Sequence, residues 1–194
     1  EVGLDSGTNA PGNPWRAPVS LTSIRSLDSA IEITAGARKT LWTDQEAIAV
    51  VTLQRLLVAD APIVFVGYAA QDVPAERVIG KVAVMLADES LNPERRILLE
   101  AKQASAVIVV PEPTGQEGQT LLKAVREEAR REKIGLTGEV DDVFAAVATR
   151  EAMARALGEE RWAELLEAAQ KPDFAPVDLD AVVDGRTLAH FRRQ

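Results

Sequence analysis

The side chains able to do chemistry are few and scattered. His190 is the only histidine, and cysteine is absent. A hydrolytic zinc site needs several converging His and carboxylate ligands with a free general base, and a serine triad needs a histidine beside its nucleophile. One histidine four residues from the C-terminus supplies neither, so His190 reads as an exposed or strand-edge residue. The lack of cysteine excludes thiolate metal sites, thiol nucleophiles and disulfides together.

Three polar clusters remain. Gly115-Gln-Glu-Gly118-Gln-Thr120 follows an apolar run, the order of a phosphate loop whose backbone amides and lysine cradle an anion. The lysine is missing and Glu117 would repel a phosphate, so the segment reads as a solvent loop before a helix. Glu139, Asp141 and Asp142 offer oxygen ligands for calcium without the alternate-residue spacing and distal Glu of a dedicated loop. A solvated turn before a strand at 143 accounts for them. Asp88-Glu89 follows a strand, where ligands gather in α/β sheets, but Ser90 and Asn92 beside them are turn residues and point to a turn or capping role. No residue is assigned as catalytic, cofactor-binding or metal-binding.

The elements that would position any site are clearer. Pro18 to Leu53 falls into short strand-like runs, with hairpin spacing between 30–34 and 38–42 about Gly36 and a further strand at 47–53. Continuous apolar runs at 62–67, 82–87 and 106–110 have the pattern of strands buried on both faces. Asn92-Pro93-Glu94 starts a helix carrying Ile97, Leu98, Ala101 and Ala104 on one face. Helices are expected at 116–132, at 150–157 closed by Gly158, and at 159–170 stopped before Pro172. A strand is expected at 141–149 and another from Val177 to Val183. Ala17-Pro-Val-Ser-Leu21 echoes Ala175-Pro-Val-Asp-Leu179, as if similar strand starts bracket an inserted unit whose two ends lie near each other.

Composition sets the class. The 194 residues are 46% hydrophobic and 27% charged, ordinary for a globular domain, with a core of Ala, Val and Leu because aromatics reach only 4%. The formal charge of −8, with bases interleaved among acids as in Arg126-Glu-Glu-Ala-Arg-Arg-Glu132, argues against nucleic acid as a partner. No apolar run approaches the ~18–20 residues of a membrane span.

Asp60-Ala-Pro-Ile-Val-Phe-Val-Gly-Tyr68 followed by Ile79-Gly-Lys-Val-Ala-Val-Met-Leu86 resembles the protease-associated (PA) domain. The likeness is to the version inserted in bacterial zinc-dependent aminopeptidases related to the transferrin receptor and glutamate carboxypeptidase. Ala101–Val110 resembles the helix end and Val-Ile-Val-Val strand that follow in that family. Pro14-Trp-Arg-Ala-Pro-Val19 and Lys171-Pro-Asp-Phe-Ala-Pro-Val177 look like its flanks. Gln103-Ala104-Ser105 replaces the family's usual Gly-Ala pair, and the loop Gly67–Val78 is short.

The resemblance implies an α+β fold, a PA-like β-sandwich or open barrel of about seven strands with three to four helices. Residues 1–16 would be an irregular lead-in, 17–183 the PA-like domain, and 184–194 a tail leading toward a peptidase domain. It implies a non-catalytic domain of an exported, periplasmic or secreted zinc aminopeptidase, shaping substrate access or mediating protein contacts. Zinc would reside in the parent's peptidase domain. The expected partners are that domain and a peptide or protein substrate, with no nucleic acid and no membrane span. Two alternatives stay open: a flavodoxin-like α/β nucleotide-binding domain with a parallel sheet, and a free-standing protein-interaction module.

Overall fold

The computed structural model describes residues 21–43, 46–50, 57–69, 72–88, 90–131, 133–136 and 144–193. In chain order the elements are β1 (Leu21–Ala35), β2 (Arg38–Trp42), β3 (Ala47–Val50), β4 (Leu57–Gly67), α1 (Ala75–Val78), β5 (Val82–Ala87), α2 (Pro93–Ala101), β6 (Ala106–Pro111), α3 (Gly115–Ala129), β7 (Lys133–Leu136), β8 (Phe144–Ala148), α4 (Arg150–Leu157), α5 (Glu159–Ala168) and β9 (Val177–Arg193). The strands form a single sheet in the order β2-β1-β9-β4-β5-β6-β8-β3, with β7 paired to β1.

That order forces the sheet to curl. β2 and β3 lie at opposite ends of the path, yet only residues 43–46 join them. Flat, seven strand spacings would separate the two ends by about 34 Å, whereas the connection reaches at most roughly 17 Å. The result is a curled half-barrel within an α+β fold, the class the sequence implies. Its nine described strands and five described helices exceed the sequence count, and β7 and α1 are single four-residue pieces among them.

β4, β5, β6 and β8 run parallel, whereas β1, β2, β3, β7 and β9 pair antiparallel with their neighbours, so the sheet is mixed. All six residues of β5 and of β6 are buried, as strands covered on both faces must be. Alternate side chains feed two cores. Ile63, Phe65, Val84, Leu86, Ile108 and Val110 meet Met153 of α4 and Trp162 and Leu165 of α5. Val64, Val66, Met85, Val107 and Val109 meet Leu99 of α2 and Leu122 of α3 on the other face.

The expected hairpin about Gly36 forms, with Ile31 opposite Trp42 and Ala35 opposite Arg38, and Ile31, Ile33 and Trp42 are buried. Asp28-Ser29, which reads as a break between strands, is absorbed by an irregularity between Ser26 and Asp28 that lets β1 run on along β9. β9 in turn continues past Val183 to Arg193 because β1 pairs it along that whole extension, joined on the other side by β4 as far as Arg186. Thr22 stands opposite Arg193, so β1 starts where β9 stops.

Candidate functional site

In a parallel sheet, ligand sites form beyond the carboxyl ends of the strands, where neighbouring connections leave for opposite faces. That condition is met between β6 and β8. The chain after β6 passes to α3 and the second core, while the chain after β8 passes to α4 and the first. The residues just past the strand ends form a polar rim: Tyr68 after β4, Asp88 after β5, Glu112 after β6, and Thr149, Arg150 and Glu151 after β8.

Apart from Arg150, whose Nε is buried with no hydrogen-bond partner among the described residues, the rim is satisfied internally. Tyr68 donates its hydroxyl to Glu112 Oε1 at 2.6 Å across the end of β5. Burial raises the Tyr68 phenol above its ordinary pKa, and the hydrogen bond and negative charge of Glu112 raise it further. Asp88 Oδ1 accepts from Ser90 N at 2.8 Å and Ser90 Oγ at 2.6 Å, and its Oδ2 accepts from Asn92 Nδ2 at 3.0 Å. Those bonds hold its carboxyl below the usual range. Thr149, buried, accepts Ala152 N on Oγ1 at 3.1 Å and so caps α4. Glu151 Oε1 takes the Gly115 N–H at 3.3 Å, placing a carboxylate on the first amide of α3.

These facts decide the anion question. The amide position where a helix start would cradle a phosphate is filled by the chain's own Glu151, with Glu112 close by. The rim therefore presents no free amide cradle for a nucleotide phosphate at the start of α3.

Each cluster singled out in the sequence has a definite place. Gly115 to Thr120 lies within α3 itself, which corrects the loop reading; the loop is shorter, at 112–114. Gly118 is needed for packing, since a Cβ there would stand 2.6 Å from the Pro113 carbonyl oxygen, and Thr120 Oγ1 donates to Gln116 O at 2.8 Å. Asp88 closes a turn as expected; Glu89 lies outside the described residues, as do Glu139, Asp141 and Asp142. Asn92 precedes α2 as expected but makes no side-chain cap: its Oδ1 accepts the Asp88 N–H at 3.0 Å instead. The backbone of His190 stands opposite Arg25 in β9. Val177 faces Phe65 at the rim end, and His190 is thirteen residues further, about 40 Å of strand away. Among the described residues no three His, Cys, Asp or Glu side chains converge as a metal site. Tyr68, Glu112 and Glu151 escaped the sequence reading as site residues, although Tyr68 and Glu112 follow directly on strand ends and Glu151 lies in the first turn of α4.

The motifs that carry the resemblance meet in space. Gly67, at φ +52°, packs so closely that an added Cβ would lie 3.0 Å from Ala169 Cβ and 3.1 Å from Phe174 Cε1. Phe65 makes edge-on contacts with Phe174 (centroids 5.8 Å apart) and Trp162 (5.6 Å), each worth about 0.5–1.5 kcal/mol beyond simple burial. Lys81 Nζ reaches Asp178 Oδ1 at 2.6 Å, and Arg77 donates to Pro176 O at 2.8 Å. The Val-Gly-Tyr strand, the Gly-Lys-Val strand and the Lys-Pro-x-Phe-x-Pro-Val segment thus form a single junction, though about a hundred residues separate them in sequence.

No family model and no curated protein sequence matches the chain. Among solved structures it is similar to an aminopeptidase from Aneurinibacillus sp. strain AM-1, at 15% identity and TM-score 0.49, covering 90% of this chain and 34% of that one. It is similar also to BSAP, a zinc aminopeptidase from Bacillus subtilis, at 13% identity and TM-score 0.42, covering 90% of this chain and 36% of that one. The chain thus spans about a third of the length of these structures.

Proposed function

We propose that the chain is a PA-type accessory domain of a zinc-dependent aminopeptidase. It carries no catalysis itself, and it shapes substrate access or mediates protein contacts beside the peptidase domain. The observation that carries this reading is the junction of Gly67, Phe174, Lys81 and Asp178. The segments that resemble the PA domain and its flank are packed against one another as one structural unit. The pairing of Thr22 with Arg193 supports the insertion, because a chain entering along β1 and leaving along β9 passes in and out at neighbouring positions.

The zinc and its ligands belong, on this reading, to the peptidase domain. Export to the periplasm or the medium follows from the same resemblance and is part of the proposal. No helix among the described residues is long and apolar enough to cross a membrane. The coding region beyond Gln194 tests the reading. It is expected to continue in frame into a domain bearing His, Asp and Glu zinc ligands, and a stop codon directly after Gln194 would overturn the insertion.

A further inference from the structure

We propose that the cleft between α2 and α3 binds a free amino acid with an aliphatic side chain. The cleft has a volume of about 400 Å³, within the range of roughly 300–1,000 Å³ typical of small-molecule sites. Its floor is Val109 of β6 and Val147 of β8, both buried, and Leu91 and Val125 stand on its walls. Such a floor favours a branched apolar group and offers it no hydrogen bond.

Two charges of opposite sign line the same cleft: Arg96 from α2 and Glu128 from α3. Glu128 lies three residues after Val125 and therefore on the same helical face. Among the described residues Arg96 Nε is sealed from solvent with no hydrogen-bond partner, and it ion-pairs with Glu100 Oε1 at 3.3 Å. Glu128 pairs with Arg131 at 3.0 Å, and the two side chains are 61% and 73% exposed, so the pair is weak and open to exchange for a ligand. A guanidinium and a carboxylate flanking an apolar floor match a carboxylate, an ammonium and an aliphatic side chain on one small molecule. A simple fatty acid would meet repulsion from Glu128, and a simple amine would meet it from Arg96. The zwitterion satisfies both.

This proposal does not rest on the peptidase reading, and the test of that reading does not touch the cleft. The purified, ¹⁵N-labelled chain is titrated with L-leucine, with glycine, with 4-methylpentanoate (leucine without its ammonium) and with 3-methylbutylamine (leucine without its carboxylate). Leucine is expected to give saturable amide shifts centred on Leu91, Arg96, Val109, Val125 and Val147. Each truncated ligand should bind about tenfold more weakly or worse, the equivalent of one lost charge-assisted hydrogen bond or of the buried side chain. Arg96→Gln and Glu128→Gln should each weaken leucine by a similar factor, with the rest of the spectrum confirming the fold. Absence of saturable shifts with leucine, equal binding of 4-methylpentanoate, or unchanged affinity in both variants would overturn the proposal.

Discussion

Replacing Gly67 with alanine perturbs the junction at its tightest point, and the structure supplies an internal control. Gly67 and Gly80 both have positive φ, +52° and +70°, so alanine at either position meets backbone strain of about 1–2 kcal/mol. Alanine also restricts the unfolded chain, which offsets about 0.4–1 kcal/mol of that strain at both positions. Gly80 has nothing within 4 Å of an added Cβ, so Gly80→Ala should cost only the net strain, about 1 kcal/mol. At Gly67 the added carbon meets Ala169 Cβ at 3.0 Å and Phe174 Cε1 at 3.1 Å, contacts that force the aromatic cluster to shift. Overpacking of this kind adds about 1–3 kcal/mol, so Gly67→Ala should be the less stable variant by about 2 kcal/mol. For a chain of this size that difference lowers Tm by about 4–8 °C. Urea unfolding followed by tryptophan emission suits the measurement, because Trp162 is buried in edge-on contact with Phe65. A Gly67→Ala variant no less stable than Gly80→Ala would refute the close packing of the Val-Gly-Tyr strand against Phe174.

Tyr68 is the only tyrosine, so tyrosinate absorbance reports it alone. Its midpoint should lie above the ordinary value of 10.0, and Glu112→Gln should lower it by removing the charge and the acceptor. Because the folded-state pKa is raised, the Tyr68–Glu112 contribution to stability is fully present below the unfolded pKa. It is lost as pH rises through the folded value, so Tyr68→Phe should be less stable than the wild type at neutral pH and converge with it at high pH. Asp178→Asn should cost about 0.5–1 kcal/mol, since Lys81 and Asp178 are 24% and 48% exposed and the pair is partly screened. In ~1 M salt, where charges are screened within about 3 Å, chemical denaturation should show most of that difference gone.

What the sequence discloses is local. The buried strands β5 and β6 are legible as unbroken apolar runs, α2 through Asn92-Pro93, and the end of α4 through Gly158. β1 is not legible as one strand because its irregularity at Ser26/Asp28 interrupts the alternation that marks a pleated face. The far half of β9 is hidden because Asp184, Gly185, Arg186 and Thr187 have no strand-like hydrophobicity of their own; the continuous ladder to β1 holds them extended. The rim was half visible. Asp88 could be read as a turn residue from Ser90 and Asn92, but Tyr68–Glu112 and Gly115–Glu151 join side chains 44 and 36 residues apart and leave no periodic trace. The same holds for Gly67 and Phe174: each motif was readable, and their contact was not.

The most direct measurement of the central claim is the zinc content of the purified chain together with its hydrolysis of an aminoacyl-anilide. The account predicts no stoichiometric zinc and no turnover above the buffer rate. Turnover that EDTA abolishes and added zinc restores would contradict it.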